Sequence, residues 1–95
     1  MLNKFKTERI LPGMYAVSKA GHDKNHLYII IDNDETYVYI ADGINKSVSN
    51  PKKKKYKHIQ VICTVADLVK QKLDHQETLT DQDIADAIKE YLLRN

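Results

Sequence analysis

Leu27-Tyr-Ile-Ile-Ile-Asp-Asn-Asp-Glu-Thr-Tyr-Val-Tyr-Ile-Ala-Asp-Gly43 is the stretch on which the fold turns. Its first run, Leu27 to Asp32, is apolar on both faces and belongs in the middle of a sheet, where neither face meets water. Asn33-Asp34-Glu35 then brings side chains that favour a turn. Thr36 to Ala41 returns as an alternating strand, with Tyr37 and Tyr39 on one face and Val38 and Ile40 on the other. The pair reads as a hairpin. Asp42-Gly43 fits a tight turn into a short fourth strand near Ile44 to Val48.

Working outward, Met14 to Lys19 alternates as a first strand and stops at Ala20-Gly21, where glycine accepts a left-handed φ without steric cost. On the other side Asn50-Pro51 breaks the ladder, and a fifth strand is expected from about Tyr56 to Ile62. The pattern then turns helical. Thr64 is the expected cap of a first short helix, with Asp67 in the capping-box position, Cys63 and Leu68 as a staple, and Val65, Leu68, Val69 and Leu73 on one face. Thr80 starts a second helix, with Asp81 and Asp83 near its positive end, Leu79 stapled to Ile84, and a stripe of Ile84, Ile88, Tyr91 and Leu92. Such short helices need a surface to dock on.

Charge is segregated along the chain. The formal net charge is only +2 over 95 residues, yet residues 1 to 58 carry eleven basic and six acidic side chains and residues 59 to 95 carry four and seven. Lys46, Lys52, Lys53, Lys54, Lys55 and Lys57 lie between Ile44 and His58 with no acid among them. Such a run attracts polyanions, because each lysine that neutralises a phosphate releases condensed counterion. Only two of the fifteen basic residues are arginine, so the chain is poor in the planar forks that read base edges, and backbone recognition is favoured.

Other chemistries find less support. One cysteine, Cys63, excludes an internal disulfide and is expected to pack as a small apolar residue at the strand-to-helix junction. His22 and His26 lie in a turn with no cysteine pair or third ligand, so no metal site is expected. Asp32, Asp34 and Glu35 read as turn formers, and no nucleophile elbow or phosphate loop is present, so no catalytic residue and no cofactor are expected. Neither a signal-peptide core nor a membrane-length apolar run occurs, which makes a cytoplasmic protein without membrane attachment the expectation. Among the tyrosines, Tyr56 is the favoured stacking surface because lysines flank it.

Four segments then stand together: Pro12-Gly-Met-Tyr-Ala-Val-Ser-Lys-Ala-Gly-His-Asp-Lys24, Tyr28-Ile-Ile-Ile31, Tyr39-Ile-Ala-Asp-Gly43 and Asn50-Pro-Lys-Lys-Lys-Lys-Tyr-Lys-His-Ile59. Across about residues 12 to 60 the chain resembles the KOW-domain RNA-binding proteins of bacteria and is similar to the fourteenth large-subunit ribosomal protein family of archaea and eukaryotes. The resemblance implies a five-stranded SH3-like barrel that binds RNA, often ribosomal RNA, through its loops and basic edges. Gly21 occupies the place of that family's anchoring glycine. Asn25, followed by His26, departs from it where a second glycine is usual; asparagine tolerates the left-handed region better than most residues.

The expected architecture is therefore mainly β: a small SH3-like barrel over residues 1–62, with a short N-terminal arm, and a helical extension of one or two helices over 63–95. The expected function is non-enzymatic binding of structured, ribosomal RNA in the cytoplasm by a chain that is monomeric when free, with a ribosomal protein as a further possible neighbour. The expected contacts are Lys46, Lys52, Lys53, Lys54, Lys55, Tyr56 and Lys57, with Lys19, Gly21, His22, Lys24 and Asn25 as a second contact loop. The alternative is an adaptor that grips a protein partner with its acidic C-terminal helix; it requires the Ile84, Ile88, Tyr91, Leu92 stripe to be exposed.

Overall fold

The computed structural model describes residues 10–94, so the N-terminal arm lies outside the described residues. Five strands form one antiparallel sheet: β1 (Met14–Ser18), β2 (Leu27–Asn33), β3 (Tyr37–Ala41), β4 (Lys52–Lys55) and β5 (Ile59–Val65). Two helices follow, α1 (Asp67–Asp74) and α2 (Asp81–Arg94). The spatial order is β4-β3-β2-β1-β5, and a 3₁₀ turn over Tyr56–His58 carries the chain from one edge strand to the other. This is the small barrel-like arrangement with C-terminal helices that the strand pattern predicts.

β2 is central and buries both faces. Tyr28 and Ile30 join Met14, Ala16, Val38, Ile40 and Ile59 in the interior, while Ile29 joins Tyr15, Ala66, Val69 and Ile84 in a second core between the sheet and the helices. Ile29, Ile30 and Ile40 are fully buried, each contributing roughly 1.5–3 kcal/mol relative to exposure. The chain is thus one sheet with a core on each side.

Several boundaries differ from the sequence reading. No strand forms near Ile44 to Val48, where only an isolated Ser47–Asn50 bridge occurs. Asp42 is the reason: its Oδ1 accepts the backbone N–H groups of Ile44, Asn45 and Lys46 at 3.0, 2.8 and 2.8 Å, curling the segment into a loop. Gly43, at φ 79, lets this loop meet α2, since an added Cβ would stand 2.2 Å from the Asp81 carbonyl oxygen. The fourth strand is the lysine run itself, paired Tyr37↔Lys55 to Ile40↔Lys52.

β5 continues to Val65, so Thr64 caps nothing and α1 begins after Ala66 without a side-chain cap. Between the Met14↔Val65 and Tyr15↔Ile62 pairs the register slips, leaving Cys63 and Thr64 without partners on β1. That slip is why Cys63 is exposed and not packed, and why it does not staple Leu68, which is itself exposed. α2 follows its signals: Asp83 N–H donates to Thr80 Oγ1 at 3.1 Å, and Thr80 N–H donates to Asp83 Oδ2 at 3.0 Å. Ile84 is buried and Ile88 and Tyr91 pack beside it, but Leu92 is 60 % exposed.

The helices are fastened to the barrel by polar contacts as well. Tyr15 Oη donates to the Ala87 carbonyl at 3.1 Å, and its ring lies 4.5 Å from that of Tyr91. Asp81 accepts from Val48 N–H at 2.7 Å and Ser47 Oγ at 3.0 Å, and Lys72 bridges to Asp83 at 2.8 Å. No helix among the described residues is long and apolar enough to cross a membrane.

Candidate functional site

Because Lys52–Lys55 is a strand, its side chains alternate between faces. Lys52 and Lys54 stand opposite Ile40 and Val38, on the interior face, and Lys53 and Lys55 stand opposite Tyr39 and Tyr37, on the outer face. The four consecutive ammonium groups therefore do not form one array. Lys53 and Lys55 are exposed, and Lys53 Nζ lies 4.5 Å from the centre of the Tyr37 ring. Lys54 is only 9 % exposed.

The inward pair converges on Asp23, in the β1–β2 loop. Lys52 Nζ donates to Asp23 Oδ2 at 2.9 Å, and Lys54 Nζ donates to Asp23 Oδ1 at 3.1 Å and to the Ala20 carbonyl at 2.9 Å. Ser18 Oγ and Tyr28 Oη add bonds to the same carboxylate at 2.9 and 2.8 Å. Burial alone would raise the Asp23 carboxyl, but the donors, Lys52 foremost, outweigh it and hold the group well below the ordinary carboxylate range. Burial, together with the same contact, pushes the Tyr28 hydroxyl upward. Lys52 and Lys54, expected as phosphate contacts, are thus structural partners of an internal acid.

Around Asp23 the loop has a defined shape. Gly21 and Asn25 both take left-handed φ values, 87° and 73°, so the asparagine adopts the conformation that a glycine would serve there. Asn25 N–H donates to the Ser18 carbonyl at 2.7 Å and Ser18 N–H to the His26 carbonyl at 3.0 Å, which closes the loop base. His26 Nε2 lies 2.8 Å from Asp42 Oδ2 and its ring 4.6 Å from that of Tyr28, fixing it as a structural residue. The Asp42 carboxyl is also lowered: burial opposes this, but the backbone N–H groups of Lys46, Ile44 and Asn45 and the His26 ring prevail.

The remaining expected contacts divide by place. His22 and Lys24 are exposed on this loop. Lys19 is exposed at its start, where its N–H donates to the His58 carbonyl at 2.8 Å, beside the exposed Lys57. Lys46 belongs to the Asp42-capped loop that leans on α2, and not to β4. Tyr56 is half-buried against the interior core; its hydroxyl donates to the Asp34 carbonyl and accepts from Asn33 Nδ2 at 3.3 Å, so it packs at the rim and does not offer a free face. Among the described residues, Lys19, Lys24, Lys55 and Lys57 form no salt bridge.

Asp23 went unrecognised in sequence. The available signal is that it is the lone acid between Glu8 and Asp32, opposite an excess of lysine. Among the described residues no group of three or more His, Cys, Asp or Glu side chains converges on a common point. No family model matches the chain. No curated protein matches it either.

Proposed function

We propose that this protein binds structured RNA without catalysing a reaction, through ammonium groups displayed on the barrel rim. The observation that carries the reading is the set of exposed lysines, Lys19, Lys24, Lys55 and Lys57, that no acid of the described residues neutralises while Lys52 and Lys54 are held inside. A rigid strand, a 3₁₀ turn and a fastened loop hold them, so little ordering entropy opposes contact with a phosphate backbone. Lys53 adds a fifth exposed ammonium beside Tyr37. The resemblance of residues 12 to 60 to KOW-domain proteins supports ribosomal RNA as the target and the cytoplasm as the setting.

The acidic helices complete the picture by repelling the same polyanion from the opposite segment of the chain. An adaptor reading has less to stand on, because Ile84, Ile88 and Tyr91 cover the outer face of the sheet. The test is anisotropy of a labelled RNA hairpin across a potassium chloride series. Four phosphate contacts give a slope of log affinity against log salt of about −3 to −4, and each lysine-to-glutamine change at Lys55 or Lys57 reduces that magnitude by nearly one. Affinity unchanged in the double variant removes the proposal.

A further inference from the structure

We infer that Lys52 and Lys54 act in RNA recognition as positioning residues: with Asp23 as their common anion they lock the Ala20–His26 loop in its contact shape, and neither touches RNA. The inference rests on the RNA reading above. Its physical basis is independent of the ligand. The loop carries two left-handed residues, Gly21 and Asn25, and the exposed His22 and Lys24, and an unfastened segment of this kind samples many conformations.

The fastening comes from far along the chain. Lys52 and Lys54 reach the loop from the strand at the sheet's edge and bond at its centre, to Asp23 and to the Ala20 carbonyl. Ser18 Oγ repeats the pattern from the loop base, donating to Ala20 O at 3.1 Å and to Asp23. With Tyr28 Oη they place four donors on one carboxylate that is mostly shielded from water, its side chain 13 % exposed. A hydrogen-bonded ion pair in such a place specifies a geometry more than it adds stability. Two adjacent lysines of one basic run therefore have opposite roles: Lys55 points to solvent, and Lys54 sets where Lys24 and His22 are.

The two readings of Lys54 give opposite results for Asp23→Asn. That variant removes a negative charge and releases two ammonium groups, so simple electrostatics predicts tighter binding of RNA. Positioning predicts the reverse. An unlocked loop is competent for only a fraction of the time, and apparent affinity falls by that fraction, about tenfold for a loop that is ordered a tenth of the time.

The experiment uses the full chain, a labelled RNA hairpin and a labelled poly(U) strand, with amide hydrogen exchange of residues 19–26 measured in parallel. Expected for Asp23→Asn and Lys54→Met are weaker hairpin binding, an unchanged salt slope, faster exchange confined to the loop, and little change on poly(U). Equal or tighter hairpin binding by Asp23→Asn overturns the inference, as does a flattened slope in Lys54→Met, which would mean that Lys54 itself meets a phosphate. Where Asp23→Asn or Lys54→Met does not fold, Lys52→Met, at the more exposed of the two lysines, is held to the same criteria. Failure of the unaltered protein to bind either RNA sinks the RNA reading, whereas normal binding with an insensitive loop sinks only this one.

Discussion

Replacing Lys54 by methionine separates the two halves of the lysine run most sharply. The side chain is 9 % exposed, and its ammonium makes bonds of 2.9 Å to the Ala20 carbonyl and 3.1 Å to Asp23. Removing one partner of a buried pair costs about 3–5 kcal/mol when the other charge is stranded. Asp23 is not stranded, because Lys52, Ser18 and Tyr28 still donate to it, and methionine keeps most of the apolar stem in place. The expected loss is then about 2 kcal/mol, near that of one hydrogen bond to a charged group. In a domain of this size each kcal/mol moves the melting temperature by about 4–8 °C, so the variant should melt about 8–16 °C lower. Lys55→Met, one residue on and exposed with no acidic partner among the described residues, should stay within about 0.5 kcal/mol of the parent. Thermal melting followed by circular dichroism compares the pair, and high salt should not abolish the difference, since shielded pairs are weakly screened. Equal melting temperatures for the two variants would refute the inward and outward assignment of β4.

Other outcomes follow from single contacts. Gly43→Ala should cost more than Gly21→Ala in urea unfolding: both residues have positive φ, but a Cβ at Gly43 meets Asp81 O at 2.2 Å, whereas at Gly21 the nearest atom is 3.6 Å away, leaving only strain of about 1 kcal/mol. Thr80→Ala should lose about 1 kcal/mol with the reciprocal cap of α2, read by the same assay. The Asp23 pKa is lower in the folded state than in the unfolded chain, so its contribution is full above about pH 4 and is lost as pH falls through the folded value; the stability gap between parent and Asp23→Asn should accordingly narrow in acid. Cys63, exposed at the β5 register slip, should react with a thiol reagent in the native protein as fast as in denaturant, and strong protection would contradict the slip.

The fold was legible where periodicity and turn chemistry agree. Leu27 to Asp32 is apolar on both faces and lies at the centre, and Thr80 with Asp83 caps α2 from both sides, because those signals are local and nothing distant competes with them. The errors come from contacts that override periodicity, local at Asp42 and long-range at Thr64 and in the lysine run. Ile44 to Val48 has strand-like composition, but the Asp42 carboxylate takes the backbone donors that a ladder needs. Thr64 is a good cap by type, yet β5 extends through it to pair with β1. The lysine run is the largest case: four like charges carry no strand signal of their own, and only pairing with β3, together with an acid 29 and 31 residues away, makes a strand of them.

That last case bears on what a basic run means. Strand alternation divides Lys52–Lys55 between two environments, so the number of lysines overstates the number available to a polyanion by the two that face Asp23. The charge that reaches solvent is instead drawn from three separate places, β4 with its following turn, the end of β1, and the β1–β2 loop, and the inward lysines are what join the first of these to the last. Display and support are therefore not alternatives in this barrel. If RNA binding depends on the outward ammonium groups, it depends on the inward ones through the loop that they hold, and the salt slope distinguishes the two dependences: loss of a contact lowers the slope, while loss of a fastening lowers affinity at constant slope.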